Sequence, residues 1–411
     1  MSSPLYQKTE LPGGLRIVTE QIPYVRSIAL GVWITVGSRD ENVINNGISH
    51  FIEHMLFKGT KNRDTQQIAD SLESVGGSLD AFTTKELTCY GAHILDEHLS
   101  LAIEILADIL INSIFDPIEI EKEKEVVLKE INHYKDTPED MIFEYFYQNI
   151  FKAHPLGFQI YGTEANIKNF NREQLLNFMN EQYATNRLLI SAAGNLQHEY
   201  LVALVEKYFT DLPQNKIRIL EKVPLNKGNK DVILDHCSQA HICFGIRAYP
   251  YDDERKFPLM ILNTFLGGGM SSLLFQKIRE EYGLVYSIYT FHDFAFDSGV
   301  FGIYFSTDEQ KVLTIFEIIN QELDRLKRNS LKQHQLIKIK NQLKGNLMLG
   351  LESPAARMSR MAKNEIYLNR YYTLDEVLDQ IDKVTIDDIG RIADDLFNEE
   401  DYFTTILKSD N

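Results

Sequence analysis

Runs of strand-like segments mixed with pairs of helix-like ones predict an α+β protein built in layers. Length adds a second inference: 411 residues exceed what one hydrophobic core ordinarily serves, so two domains of about 200 residues are expected. A third observation links the two, because the halves echo each other. Strand-like residues 27–34 precede the polar turn 38–41 and a helix-like segment from Ser49. Residues 241–246 likewise precede 251–254 and the helix-like 257–263. Both are followed by glycine-containing hairpins and long amphipathic helices.

The chain opens on residues without an apolar core or an arginine-rich amphipathic stretch and leads into strand-like Leu15 to Thr19. Neither a secretory nor an organellar address is therefore expected. Turn signals at 211–216 and again from Pro224 to Lys230 place the boundary. The expected division is a domain at 1–215, a linker at 216–229 and a related domain at 230–411.

Within the first half, His50-Phe51-Ile52-Glu53-His54 carries the chemistry. On a helix, His50 and His54 lie one turn apart on one face and can converge on one ion. Glu53 neighbours the second histidine, within reach of a metal-activated water as general base; H-x-x-E-H is the inverted zincin pattern. The helical reading rests on Gly47 and Ser49 at the start, five apolar residues between Phe51 and Phe57, and Lys58-Gly59 as a stop. The alternative is two satisfied histidines on an ordinary buried helix. Burying three unpaired polar groups would cost several kcal/mol, however, and a metal removes that cost.

A catalytic zinc site takes three protein ligands, so one is missing. Residues 117–134 read as a helix with Asp116 as N-cap, Pro117 at the first position and acids in the first turns. Glu121, Glu125 and Lys129 form a solvated stripe, with Glu125 and Lys129 spaced for pairing. Glu123, Val127, Glu130 and Tyr134 form another, facing inward. Glu123 and Glu130 are thus two carboxylates on a face that should be buried, where a dication is a good partner. Spacing alone leaves their roles exchangeable.

The stretch Gly47-Ile48-Ser49-His50-Phe51-Ile52-Glu53-His54-Met55-Leu56-Phe57-Lys58-Gly59-Thr60 resembles the signature of the pitrilysin/insulinase zinc peptidases. It is most similar to the short-chain branch that holds the mitochondrial processing peptidases and their bacterial relatives. In that family the third ligand is a glutamate 76 residues after the second histidine, as Glu130 is after His54, and another glutamate precedes it by seven, as Glu123 does. The resemblance implies His50, His54 and Glu130 as ligands of one Zn2+ per chain, Glu53 as base and Glu123 in support. It also implies two similar domains, each an antiparallel sheet packed by helices and related by internal duplication, with zinc in the first only.

Other positions acquire expected roles from the same resemblance. Asp80, Ala81 and Phe82 match the edge strand that pairs with an extended peptide substrate. Asp80 departs from the family's usual asparagine, and an ionised aspartate only accepts hydrogen bonds. Arg279 and Tyr286 match a pair that supports the tetrahedral intermediate and the peptide backbone. In the short-chain branch the active-site cavity lies between two subunits, which implies a homodimer with the second domain facing the partner's zinc site. Asp140 and Glu144 match two acids that hold arginine upstream of the cleaved bond, as bidentate guanidinium contacts would. On spacing alone they read as a solvated acidic face. The glycine-rich Leu266-Gly267-Gly268-Gly269-Met270 lacks the lysine of a phosphate loop, so a nucleotide site is excluded.

Composition narrows the rest. The net charge of −17 disfavours nucleic acid and anionic membranes and suits basic peptides. No apolar run approaches membrane-spanning length. Three scattered cysteines, Cys89, Cys237 and Cys243, argue against a disulfide framework and for a reducing, cytoplasmic setting. The reading is a zinc endopeptidase acting on extended, basic, presequence-like peptides. Its alternative is a non-catalytic partner subunit that binds peptide for an active homologue.

Overall fold

A computed structural model describes residues 5–409 other than 211, 215, 216, 236, 329 and 330. The turn signals at Asp211, Asn215 and Lys216 fall outside the described residues. Through the first part of the chain run β1 (Leu5–Glu10), β2 (Arg16–Gln21), β3 (Ser27–Ile34), α1 (Ile48–Met55), α2 (Thr65–Glu73), β4 (Ser78–Thr83) and β5 (Thr88–Leu95). Then follow α3 (Leu99–Asn112), α4 (Pro117–Lys135), α5 (Pro138–Ile150), α6 (Glu164–Asn169), α7 (Arg172–Gln182), β6 (Leu188–Gly194) and α8 (His198–Tyr208). The remainder holds β7 (Lys230–Leu234), β8 (Ala240–Ala248), α9 (Lys256–Gly267), β9 (Ser287–Phe294) and β10 (Gly299–Thr307). It closes with α10 (Val312–Arg328), α11 (Gln333–Gly350), α12 (Pro354–Leu368), α13 (Leu374–Lys383), α14 (Ile386–Leu396) and β11 (Phe403–Lys408).

Two compact units result, one around each sheet. In the first the strand order is β1-β2-β6-β3-β5-β4; in the second it is β7-β11-β8-β10-β9. Leaving β1 aside, the two orders are the same: first, fifth, second, fourth and third strand of each half. Strand directions agree as well. β2 runs parallel to β6 and β7 parallel to β11, while every other pair is antiparallel. The duplication is thus written into the topology. The sheets are mixed, not wholly antiparallel as expected. A strand that returns after a helical excursion can enter beside the first strand in either direction, and local alternation carries no trace of which.

The units are not the contiguous halves expected from sequence. The first comprises residues up to His133, Phe158–Glu221 and Gly350–Tyr371; the second takes Tyr134–Gly157, Lys222–Leu349 and the chain from Tyr372. Hence α5, early in sequence, packs on β11 and β8 of the second unit, and α12, late in sequence, packs on β6, β3 and β2 of the first. In the first unit β3 and β6 are buried almost end to end, as strands covered on both faces must be. Gly31 in β3 admits α12: a Cβ there would sit 2.9 Å from Met358 Sδ and 2.7 Å from Trp33 Nε1. Buried ion pairs fix the helix, with Glu365 accepting from Lys8 at 2.7 Å and Arg16 at 2.9 Å, and Glu20 from Arg357 at 2.6 Å.

Candidate metal centre

α1 forms where an apolar face of Ile48, Phe51, Ile52 and Met55 is buried. Its N-cap, Gly47, has a left-handed φ of 97° and lies so close to Gly162 that a Cβ would fall 2.7 Å from the Gly162 Cα. The helix ends at Met55, three residues before the expected Lys58-Gly59 stop. α4 begins as expected: Asp116 Oδ1 accepts from the Ile118 and Glu119 N–H groups at 2.7 and 3.3 Å. Among the described residues, ion pairs on α4 include Glu119–Lys122 and Glu121 with buried Lys124, rather than the Glu125–Lys129 spacing singled out from sequence. A three-residue step meets the same helix face, and these lysines take it.

The inward stripe of α4 meets the polar edge of α1. His50 and His54 turn their Nε2 atoms to within 3.3 Å of each other. Glu130 Oε1 lies 3.8 Å from His50 Nε2 and Oε2 lies 3.6 Å from His54 Nε2. Among the described residues this is the one His/Cys/Asp/Glu group whose ligand atoms all fall within 4.8 Å of one another. Two nitrogens each about 2.0–2.1 Å from a tetrahedral zinc stand about 3.3 Å apart, so the imidazoles already have the required separation. The donor set, two imidazoles and a carboxylate, is that of a catalytic zinc site with a place left open. These residues fit the ion.

Glu123 is buried and accepts from His54 Nδ1 at 2.8 Å, while Lys58 Nζ stands 2.7 Å from its other oxygen. Burial pushes the Glu123 carboxyl up, but the His54 and Lys58 contacts outweigh it and hold the group below its ordinary range. His54 is shifted the opposite way: burial lowers it, and Glu123, Glu130 and Glu53 together raise it. His50 is nearly enclosed, and desolvation takes it down to about 3, so this imidazole is neutral at any ordinary pH. Its Nδ1 has no hydrogen-bond partner among the described residues. Glu53 accepts from Thr83 Oγ1, and burial raises its carboxyl against that bond, the direction a general base requires.

Among the described residues β4 ends the sheet and pairs only with β5. β4 and β5 form a hairpin, turned between Thr84 and Leu87, where Thr84 N–H donates to Leu87 O at 2.7 Å. Counting back through the antiparallel register, Phe82 and Asp80 bond to β5, while Leu79, Ala81 and Thr83 turn their amides to the free side. One of those amides is occupied: Ala81 N–H donates to Asp80 Oδ1 at 2.9 Å. The Phe82 ring packs edge-on against Trp33 at 5.5 Å. A cleft of about 400 Å³ opens here, lined by Glu53, His54, Lys58, Asp80, Ala81 and Glu123 among others. A larger cavity of about 780 Å³ shares none of these residues, and in it Arg63 pairs with both Glu104 and Asp108.

The remaining predicted residues belong to the second unit. Arg279 lies in a π-helical turn, Phe275–Glu281, rather than an ordinary helix, and its guanidinium sits 5.3 Å over the ring of exposed Tyr286. Such turns shift side-chain register and recur at functional sites. Asp140 and Glu144 stand on α5, Asp140 exposed and Glu144 half-buried. Three contributors went unread in sequence: Lys58, Thr83 and Glu41, whose carboxylate caps α1. Thr83 shares a face with Ala81 by strand alternation, a usable signal; Glu41 has no local one.

The two-unit fold and the paired histidines with a distant glutamate define a zinc-peptidase type of chain. Residues 16–164 match the family model of insulinase (peptidase family M16), and residues 169–343 match that of the peptidase M16 inactive domain. The chain belongs to peptidase family M16. An uncharacterized zinc protease of Bacillus subtilis (strain 168), YmxG, is 41% identical over 399 residues, covering 97% of each chain. One from Mycobacterium leprae (strain TN), also called an uncharacterized zinc protease, is 37% identical over 97% of this chain and 91% of its own. A crystal structure of a protease from Helicobacter pylori superposes with a TM-score of 0.90 at 21% identity, covering 99% of this chain and 100% of that one. A peptidase M16 inactive domain from Pseudomonas fluorescens does so with 0.92 at 18% identity, covering 99% and 98%. At those identities the two structures speak to fold alone.

Proposed function

We propose that this chain is a zinc endopeptidase that cuts extended, basic, presequence-like peptides. The observation that carries the reading is the convergence of His50, His54 and Glu130 beside Glu53. His50, His54 and Glu130 hold one Zn2+ per chain. When bound, zinc supplies Lewis acidity, polarising a peptide carbonyl and making a water easier to deprotonate. Glu53 takes a proton from the attacking water and passes one to the leaving amine. Glu123 fixes the His54 ring through Nδ1. The outer edge of β4 at Asp80, Ala81 and Phe82, where the Leu79, Ala81 and Thr83 amides face outward, receives the substrate backbone as an added strand.

Arg279 and Tyr286 support charge on the carbonyl oxygen, and Asp140 and Glu144 select a basic side chain. The chain works as a homodimer in which the second unit's pair serves the partner's zinc site. Catalysis belongs to the part of the sequence at 1–215, and the part at 230–411 carries no metal. No helix among the described residues is long and apolar enough to cross a membrane. Cysteines without disulfides support a cytoplasmic setting.

The test is purified protein with a basic presequence-like peptide, products mapped by mass spectrometry with and without chelator. Cleavage that chelation stops and zinc restores is expected. A zinc-loaded protein that binds the peptide and leaves it whole overturns the reading in favour of a binding subunit.

A further inference from the structure

Of the two histidines facing the metal position, only His54 has its Nδ1 held by a side chain among the described residues. Glu123 grips its Nδ1 at 2.8 Å, whereas the Nδ1 of His50 is buried with no hydrogen-bond partner among the described residues. The aim of His50 therefore rests on the backbone that carries it, the first turn of α1. That turn starts at a glycine, and a glycine has no side chain with which to cap. A helix start leaves N–H groups needing acceptors. Here they are met from outside the helix. Glu41 Oε1 accepts from Ser49 N–H at 2.8 Å, and Oε2 from Gly47 N–H at 2.8 Å and from Asn46 Nδ2 at 2.9 Å. Asn46 in turn donates to Gln159 O at 2.8 Å, beside the Gly162 backbone against which Gly47 is pressed.

Glu41 is 4% exposed and has no ion-pair partner among the described residues. A buried carboxylate without a cation is costly, and a neutral acceptor would cap a helix at less expense. What the carboxylate adds is two oxygens in a rigid fork, each taking a backbone N–H, on the turn that carries a histidine whose Nδ1 no described residue holds. We propose that Glu41 is a positioning residue of the metal centre: by clasping the Gly47 and Ser49 amides it sets the His50 imidazole in place.

The inference rests on the zinc reading above, and its test reads the metal directly. Glu41→Gln puts a donor where one of two backbone N–H groups needs an acceptor. Asn46→Ser is milder, removing one bond to Glu41 and leaving both oxygens. Zinc affinity would be measured by competition with a chromophoric chelator, and ligand geometry by the visible spectrum of the Co2+-substituted protein. Glu41→Gln should weaken zinc binding roughly tenfold or more and change the Co2+ bands, with Asn46→Ser a few-fold weaker. The melting temperature of the zinc-free protein should not fall in parallel, since a residue serving only the fold would lower it. Wild-type affinity and Co2+ bands in a folded variant overturn the proposal. Peptide cleavage is scored separately. Zinc held through Glu41 without any cleavage supports this inference and overturns the peptidase reading; a wild-type chain that binds no zinc overturns both.

Discussion

Glu123 accepts a hydrogen bond from His54 Nδ1–H at 2.8 Å, and that one bond decides which nitrogen of the ring is offered to the metal position. With Nδ1 committed to a carboxylate, Nε2 is left as the lone-pair donor, 3.3 Å from its counterpart on His50. Lys58, 2.7 Å away on the other oxygen, holds the carboxylate charged and steady. Glu123→Gln should therefore bind zinc roughly 10- to 100-fold more weakly, the usual cost of losing such a partner. Equilibrium competition with a chelator measures it. An unchanged affinity would show that the ring is oriented by packing alone.

Glu53 lies beside His50, His54 and Glu130 without belonging to that group, its carboxylate accepting from Thr83. Glu53→Gln should keep zinc at wild-type affinity and lose at least about 100-fold in kcat, the lower range for a positioned general base. Single-turnover cleavage with metal content measured on the same sample separates the two. Cleavage at the normal rate would remove Glu53 from the chemistry.

Much of this site was legible because its chemistry demands local spacing. Two histidines four apart show one helix face, and Asp116-Pro117 announces the start of α4. Parts that depend on distant segments left no such mark. Nothing near Lys58 says that it meets Glu123, and nothing near Glu41 says that it reaches forward to Ser49. The exchange of α5 and α12 between units was invisible for a related reason. Each is an ordinary helix with one apolar face, and either sheet offers a surface that such a face would fit. The parallel pairing of β2 with β6 was equally hidden, since neither RIVTEQ nor LLISAAG carries a pattern that depends on which way the strand lies.

If β4 receives substrate as proposed, its place there is partly taken by the protein itself. Ala81 N–H faces the free edge but donates to Asp80 Oδ1, so a peptide carbonyl must displace that oxygen before pairing. Asp80→Ala should tighten binding of a neutral extended peptide by about 3- to 10-fold, the equivalent of one ordinary hydrogen bond. Binding is best read by fluorescence anisotropy in the Glu53→Gln background, where turnover does not intrude. Asp80→Asn keeps the acceptor and should change less. If the alanine variant binds no better, the contact is not in competition with substrate.

Glu41 also gives the zinc-free protein a particular dependence on pH. Burial carries its carboxyl from an ordinary 4.5 up to about 7, against the pull of the Gly47, Asn46 and Ser49 donors. A carboxyl whose pKa is higher folded than unfolded binds more protons in the native state, so stability falls as pH rises between the two values. The window runs from about 4.5 to about 7, and the loss across it is about 3 kcal/mol. Tyr183, the neighbour that feels the Glu41 charge, is itself raised by burial and stays neutral throughout. Urea unfolding of zinc-free wild type and Glu41→Gln at pH 5 and pH 8 isolates the effect as a difference between proteins, since metal binding would add proton linkage of its own. Wild type should lose stability relative to the variant on going to pH 8. A constant difference at the two pH values would mean that the carboxylate is charged at both, its three donors having outweighed its burial.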